Sequence, residues 1–114
     1  MQTLLLVDDD PDTRLLLKLK LRDRFEILEA CDGHKALELV RTHGVDLVLS
    51  DVHMPRMWGT VLRDALHRQG FPRDRIFLMT GCASDGLGVD FRKGANLNEL
   101  AQAFLKKVDQ RFVS

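Results

Sequence analysis

The chain has 114 residues, 45% of them hydrophobic and 30% charged, which is typical of one compact globular domain rather than two. Seventeen basic and seventeen acidic residues cancel, so a general electrostatic attraction to nucleic acid or to an anionic membrane has no support. The first apolar run, Leu4–Val7, is too short for a signal peptide or a membrane span. Cys31 and Cys82 have no paired spacing, and we expect reduced thiols in a cytoplasmic protein.

The first half of the chain predicts strands that alternate with helices. Leu4–Val7 is a continuous apolar run, as expected of a parallel strand covered on both faces. Pro11 suits the first position of a helix, with Asp10 as its N-cap. Phe25–Ala30 alternates like a strand, and the segment "CDGHKALELVRTHG" predicts a helix that stops at Gly44.

The second half continues the alternation. Val45–Ser50 predicts a third strand and Gly59–Arg68 a helix, while Arg75–Met79 predicts a fourth strand and Val89–Arg92 a weak fifth. Such alternation implies right-handed crossovers between parallel strands, with helices on both faces of one sheet.

The last helix has the clearest periodicity in the chain. Asn96, followed three residues later by Glu99, has the spacing of a capping-box variant at its start. The apolar stripe recurs at the spacing of one helix face and comprises Leu97, Leu100, Ala101, Phe104, Leu105 and Val108.

Polar residues stand where the predicted strands end. In parallel sheets of this class, ligands gather outside the carboxyl ends of the strands. The residues at those ends are Asp8, Asp9, Asp10, Asp51, Thr80 and Lys93. For Asp10, a helix cap is the preferred interpretation. The others predict a functional site at one edge of the sheet.

Chemistry at that edge follows from the residue types. Clustered carboxylates stay ionised together only beside a cation, and Mg²⁺ takes oxygen ligands. With a metal held by Asp9, the carboxylate of Asp51 could attack a phosphoryl group and form an acyl phosphate. Lys93 could pair with that group and Thr80 could donate a hydrogen bond to it.

The chain resembles the response-regulator receiver domains of two-component signalling, the CheY-like family. The resemblance rests on five segments in order and spacing: "LLLVDDDPDTRLLL", "EACDGHKALELV", "DLVLSDVHMPRMWG", "IFLMTG" and "FRKGANLNEL". It implies a flavodoxin-like, five-stranded parallel sheet of order 2-1-3-4-5, and a single receiver domain over residues 1–114. It also implies that Asp51 is the phosphoacceptor, that Thr80 is the switch hydroxyl and that Lys93 pairs with the phosphate. The implied Mg²⁺ ligands are Asp9 directly, Asp8 mainly through a water molecule, Asp51, and the backbone carbonyl of His53.

The partner implied by the resemblance is a phosphohistidine on a histidine kinase or a histidine phosphotransfer protein. Such a domain catalyses its own phosphorylation and dephosphorylation and is not an enzyme acting on an outside substrate. No further segment follows Ser114 in this sequence, so we expect output through protein–protein contacts, without direct binding to nucleic acid or membrane.

Three features depart from the family pattern. Only nine residues separate Met79 from Val89, too few for a full fourth helix, so we expect a shortened helix or a loop, as in one subgroup of receivers. Lys93 is followed by Gly94 where the family usually has a proline after a cis bond, and the sequence leaves the isomer of this bond open. Asp90 stands where an aromatic often acts as the conformational reporter. The alternative function is therefore a degenerate receiver that binds partners without phosphorylation.

Overall fold

The computed structural model describes residues 1–81, 88–94 and 96–112. Within these ranges, strands and helices alternate along the chain. The strands are β1 Gln2–Val7, β2 Phe25–Ala30, β3 Leu47–Asp51, β4 Ile76–Thr80 and β5 Phe91–Arg92. The helices are α1 Pro11–Leu21, α2 Gly33–Thr42, α3 Gly59–Arg68 and α4 Leu97–Phe112, and a 3-10 turn, Arg73–Arg75, precedes β4.

The strands form one parallel sheet in the order β2-β1-β3-β4-β5, which confirms the predicted flavodoxin-like topology. Alternate residues of β1 point to opposite faces of the sheet, as the pleat requires. Leu4 and Leu6 pack in a core with α1 and α4, whereas Leu5 and Val7 pack in a second core with α2 and α3. The sheet is therefore covered on both sides, which explains the continuous apolar run of β1.

Two aspartates shift the start of a strand relative to the sequence prediction. Asp46 donates its backbone N–H to the Thr3 carbonyl, while its carboxylate accepts the Thr3 N–H at 2.8 Å. Asp90 binds Leu78 in the same way, with a backbone bond and a side-chain bond of 2.9 Å each. Because a carboxylate replaces a ladder carbonyl there, β3 and β5 begin after these residues, two positions later than predicted.

The predicted helix termini are close to those observed. The Asp10 side chain accepts from Asp12 N–H and Pro11 is the first residue of α1, so both predictions are confirmed. The side chain of Asn96 accepts a hydrogen bond of 2.9 Å from the N–H of Asn98 at the start of α4. The predicted stripe of α4 is confirmed by its buried residues, Leu100, Ala101, Phe104 and Val108.

The segment between β4 and β5 is described only in part. The expected shortening or loss of a helix concerns residues 82–87, which lie outside the described residues. No cis peptide bond occurs in the described ranges, so the bond between Lys93 and Gly94 is trans. None of the helices in the described part of the chain is long and apolar enough to cross a membrane.

Candidate functional site

The carboxyl ends of the strands bring the predicted polar residues to one edge of the sheet. Asp8 directly follows β1, and Lys93 directly follows β5. Asp51 and Thr80 are the last residues of β3 and β4, so each of these strands extends one position beyond the end that the sequence predicted. Because all five strands run in parallel, these four ends share one edge, where α/β folds place their ligands.

Three carboxylates form a compact cluster at this edge. Asp8, Asp9 and Asp51 each offer an oxygen, and these oxygens lie within 4.8 Å of one another. Asp8 is only 1% exposed and Asp51 only 5%, whereas Asp9 is exposed. An oxygen-only donor set with one solvent-facing member suits Mg²⁺, which keeps some of its waters. The residues present therefore fit a magnesium ion.

Backbone hydrogen bonds fix Asp8 at the centre of the cluster. Its N–H donates to the Ala30 carbonyl at 3.2 Å, which extends the β1–β2 ladder by one residue. Its side-chain Oδ1 accepts the N–H of Asp10 at 2.9 Å, and its carbonyl accepts from the Arg14 guanidinium. Asp8 is thus held by the sheet and by α1 together.

Lys93 supplies the cation that the buried carboxylates need. Its Nζ lies 2.9 Å from Asp8 Oδ2 and 3.2 Å from Asp51 Oδ2. The Lys93 N–H donates to the Thr80 carbonyl at 2.7 Å, which fixes the start of the side chain beside β4. The ammonium reaches both acids although the Lys93–Gly94 bond is trans.

The cluster shifts the pKa values of its members. Burial raises the pKa of Asp51, and the charge of Asp8 adds to this effect, against the opposing Lys93 ammonium and the N–H of His53. For Lys93, burial disfavours the ammonium, but the hydrogen bond and charge of Asp8 and the charge of Asp51 outweigh it and raise the Lys93 pKa. The lysine therefore stays charged, while Asp51 is easier to protonate than an exposed aspartate.

His53 and Thr80 lie beside the acidic cluster. The Thr80 Oγ1 is 3.4 Å from the His53 Nδ1, and the His53 ring meets the Trp58 ring edge-on at a centroid distance of 4.9 Å. The backbone N–H of His53 favours the charged form of the Asp51 carboxylate and so opposes the rise of its pKa. The ligand role expected of the His53 carbonyl stays a prediction.

The loop after β3 folds back tightly onto the end of that strand. Gly59 N–H donates to the Val52 carbonyl at 2.8 Å, and a Cβ at position 59 would lie 2.3 Å from the Asp51 carbonyl oxygen. Only glycine fits so close an approach. Arg56 has a φ of 68°, and its guanidinium pairs with Asp32 at 2.9 Å, so it joins the loop to the start of α2.

The structure brings together Asp8, Asp9, Asp51 and Lys93, four of the residues singled out in the sequence. Sequence reasoning missed the bond of Asp90 to β4. The available signal was an aspartate directly before the first residue of a strand, a pattern that the chain also has at Asp46.

Curated relatives match this chain over part of their own length. Response regulator GtcR of Aneurinibacillus migulanus is 44% identical over 59 residues, covering 51% of this chain and 24% of GtcR. Transcriptional activator protein PfeR of Pseudomonas aeruginosa is 34% identical, covering 92% of this chain and 38% of PfeR. Sensor histidine kinase TmoS of Ectopseudomonas mendocina is 31% identical, covering 90% of this chain and 10% of TmoS. The chain spans a minor part of each relative.

Solved structures match over nearly the whole chain. Response regulator TrrA of Thermotoga maritima, in complex with Mg²⁺-BeF, is 31% identical with a TM-score of 0.77, covering 94% of this chain and 99% of the other. The signal receiver domain of an HD domain-containing protein from Pseudomonas fluorescens is 25% identical with a TM-score of 0.80, covering 99% and 98%.

The family model of the response regulator receiver domain matches residues 4–109, which include every strand end of the acidic site. With this match, the sheet order and the acidic edge, the chain belongs to the response regulator receiver domains of two-component signalling.

Proposed function

We propose that Asp51 accepts a phosphoryl group from a phosphohistidine and that the phosphorylated (loaded) domain signals through altered protein–protein contacts. The observation that carries this proposal is the position of Asp51, buried at a strand end beside two further carboxylates and the ammonium of Lys93. The donor is a histidine kinase or a histidine phosphotransfer protein, since receiver domains are phosphorylated by histidine kinases. The unit of function is a single receiver domain over residues 1–114, acting in the cytoplasm.

In the transfer, a carboxylate oxygen of Asp51 attacks the phosphorus atom. The P–O bond forms as the P–N bond to the donor imidazole breaks, and the electron pair of that bond stays on the ring nitrogen. The products are an acyl phosphate on Asp51 and a neutral imidazole once its protons equilibrate with water. The N–H of His53 favours the charged form of Asp51, which is the form that attacks.

The metal assigned to this site is Mg²⁺, with Asp8, Asp9, Asp51 and the backbone carbonyl of His53 as its protein contacts. In our proposal Asp9 is a direct ligand, and Asp8 acts mainly through a bound water. The close grouping of the three carboxylates supports this set, as does the Mg²⁺-BeF complex of the related TrrA. When bound, Mg²⁺ would neutralise charge on the carboxylates and on the phosphoryl oxygens.

Lys93 and Thr80 bind the phosphoryl group in this proposal. The Lys93 ammonium, now shared between Asp8 and Asp51, pairs with one phosphoryl oxygen, since a charge-assisted hydrogen bond is stronger than a neutral one. The Thr80 hydroxyl, at the end of the neighbouring strand, donates to another. Water later hydrolyses the acyl phosphate. In this proposal the domain catalyses its own phosphorylation and dephosphorylation and has no outside substrate.

Incubation with acetyl phosphate and Mg²⁺, followed by mass spectrometry of the intact protein and its peptides, tests the proposal. We expect one phosphoryl group on Asp51, loss of loading in Asp51→Asn and normal loading in Asp12→Asn, which changes an exposed aspartate of α1. Absence of loading with intact folding would favour the alternative, a degenerate receiver that binds partners without phosphorylation.

A further inference from the structure

β5 is only two residues long, and Asp90, directly before it, makes the hydrogen bonds to β4 that a longer strand would make. β5 contains only Phe91 and Arg92, so Leu78 of β4 has no strand residue opposite it on that side. Asp90 binds both polar groups of the Leu78 backbone: its N–H donates to the carbonyl and its Oδ2 accepts the N–H, each at 2.9 Å. Asp90 is therefore part of the sheet through its side chain.

The second oxygen of the same carboxylate binds α4. Lys107 Nζ donates to Asp90 Oδ1 at 3.1 Å and lies 5.4 Å from the centroid of the Phe91 ring. The two side chains are 37% and 21% exposed, so the pair is partly shielded from water. One carboxylate thus joins the backbone of β4 to a cation of α4, with both oxygens in use.

Asp90 is also close in the chain to the acidic site. Only the two residues of β5 separate it from Lys93, whose N–H binds the Thr80 carbonyl at 2.7 Å and whose Nζ binds Asp8 and Asp51. Phe91, between them, packs against Phe77 and Phe104 in the core. The segment from Asp90 to Lys93 is therefore fixed to the acidic site at one end and to α4 at the other.

We propose that Asp90 is a positioning residue that, through Lys107, couples the state of the Asp51 site to α4. The inference rests on the proposed function, since it needs a phosphoryl group to draw Lys93 away from its present partners. A shift of Lys93 displaces the short, tightly packed β5, and the Asp90 carboxylate transmits that displacement to Lys107. Coupling of this kind needs contacts that differ between the two states, and the ammonium of Lys93 provides them.

Two variants break the connection at different points. Lys107→Met keeps an apolar stem over Phe91 and leaves the bond between Asp90 and Leu78 intact, but removes the ion pair. Leu78 and Lys107 donate to different oxygens of Asp90, and Asp90→Asn replaces one of these oxygens by an NH2 group, which cannot accept, so one of the two bonds is lost. Lys106→Met, at an exposed neighbouring position, and Asp46→Asn, which alters the same ladder motif at the start of β3, are matched controls.

The test compares amide hydrogen exchange of residues 97–112 with and without Mg²⁺ and beryllofluoride, which takes the place of the phosphoryl group on Asp51. Fluorine NMR separately measures how much of the protein has bound beryllofluoride. We expect loading to change exchange in the unmodified protein and in both controls, and Lys107→Met and Asp90→Asn to reduce that change by about twofold or more. The double variant is expected to match the single variants, because both act through one contact.

A purely structural role of the pair would alter exchange in the unloaded state and leave the loading-induced difference unchanged. An unchanged difference in Lys107→Met, at equal loading, overturns the inference, as does a loaded unmodified protein whose α4 does not respond. Absence of loading in the unmodified protein is a separate outcome, since it overturns the proposed function and the inference with it.

Discussion

Lys93 and Asp8 are 85 positions apart in the chain, yet the Lys93 Nζ lies 2.9 Å from an Asp8 carboxylate oxygen. The same ammonium is 3.2 Å from Asp51, so one cation separates two buried carboxylates. Removal of the cation leaves two like charges in a poorly hydrated place, which is more costly than losing a surface ion pair. The folded state in metal-free buffer therefore depends on this lysine.

Lys93→Met is expected to lower the free energy of unfolding by on the order of 2 kcal/mol in metal-free buffer. Mg²⁺ should restore most of the loss, because a cation again neutralises Asp8 and Asp51. Urea unfolding with and without Mg²⁺ measures both effects. Lys35→Met, which removes an exposed pair with Glu38 at 3.8 Å, is the control and should change stability by less than about 0.5 kcal/mol. Equal stability of the two variants would contradict the prediction.

Asp51→Asn is expected to stabilise the metal-free protein at neutral pH. Burial raises the folded-state pKa of Asp51 above its ordinary value of 3.8, so the folded protein holds this proton more tightly than the unfolded chain. The charged carboxylate therefore costs stability, and that cost develops as the pH rises from 3.8 through the folded-state pKa. The gain in Asp51→Asn should shrink as the pH falls towards 3.8, which chemical unfolding at a series of pH values would show. A gain independent of pH would refute this explanation.

Gly59→Ala is expected to destabilise the fold by about 1–3 kcal/mol, because its Cβ would lie 2.3 Å from the Asp51 carbonyl oxygen. Since the neighbour is backbone, relief requires the loop after β3 to move, and loading of Asp51 should fall as well. Gly44→Ala is the matched control, with nothing within 4 Å of the added methyl group. Thermal unfolding of the two variants measures the difference, and equal melting temperatures would contradict the prediction.

Asp9→Asn is expected to weaken Mg²⁺ binding by about tenfold or more, since it removes one of three clustered carboxylates. Trp58 provides the signal, because its ring contacts the His53 ring next to the cluster. A fluorescence titration with Mg²⁺ gives the affinity, and Asp12→Asn in α1 serves as a control that should bind as the unmodified protein does. An unaltered titration of Asp9→Asn would remove Asp9 from the ligand set.

The local pattern of the sequence determined the elements and their order. The apolar runs of the strands, the proline at Pro11 and the stripe of α4 are signals within a few residues, so Phe25–Ala30 and Gly59–Arg68 were predicted with the observed ends. The acids at the strand ends could also be found, because parallel topology brings those ends to one edge. The resemblance to receiver domains supplied the roles that we propose for them.

Only the tertiary structure decided which of these groups meet and how each is buried. Asp8 is buried whereas its neighbour Asp9 is exposed, a difference set by the direction of each side chain at the end of β1. The Lys93 ammonium reaches the acids although the Lys93–Gly94 bond is trans, and Asp90 joins β4 to Lys107. Both features depend on contacts between distant elements. Such contacts follow from packing and from the satisfaction of backbone hydrogen bonds, which residue spacing does not encode.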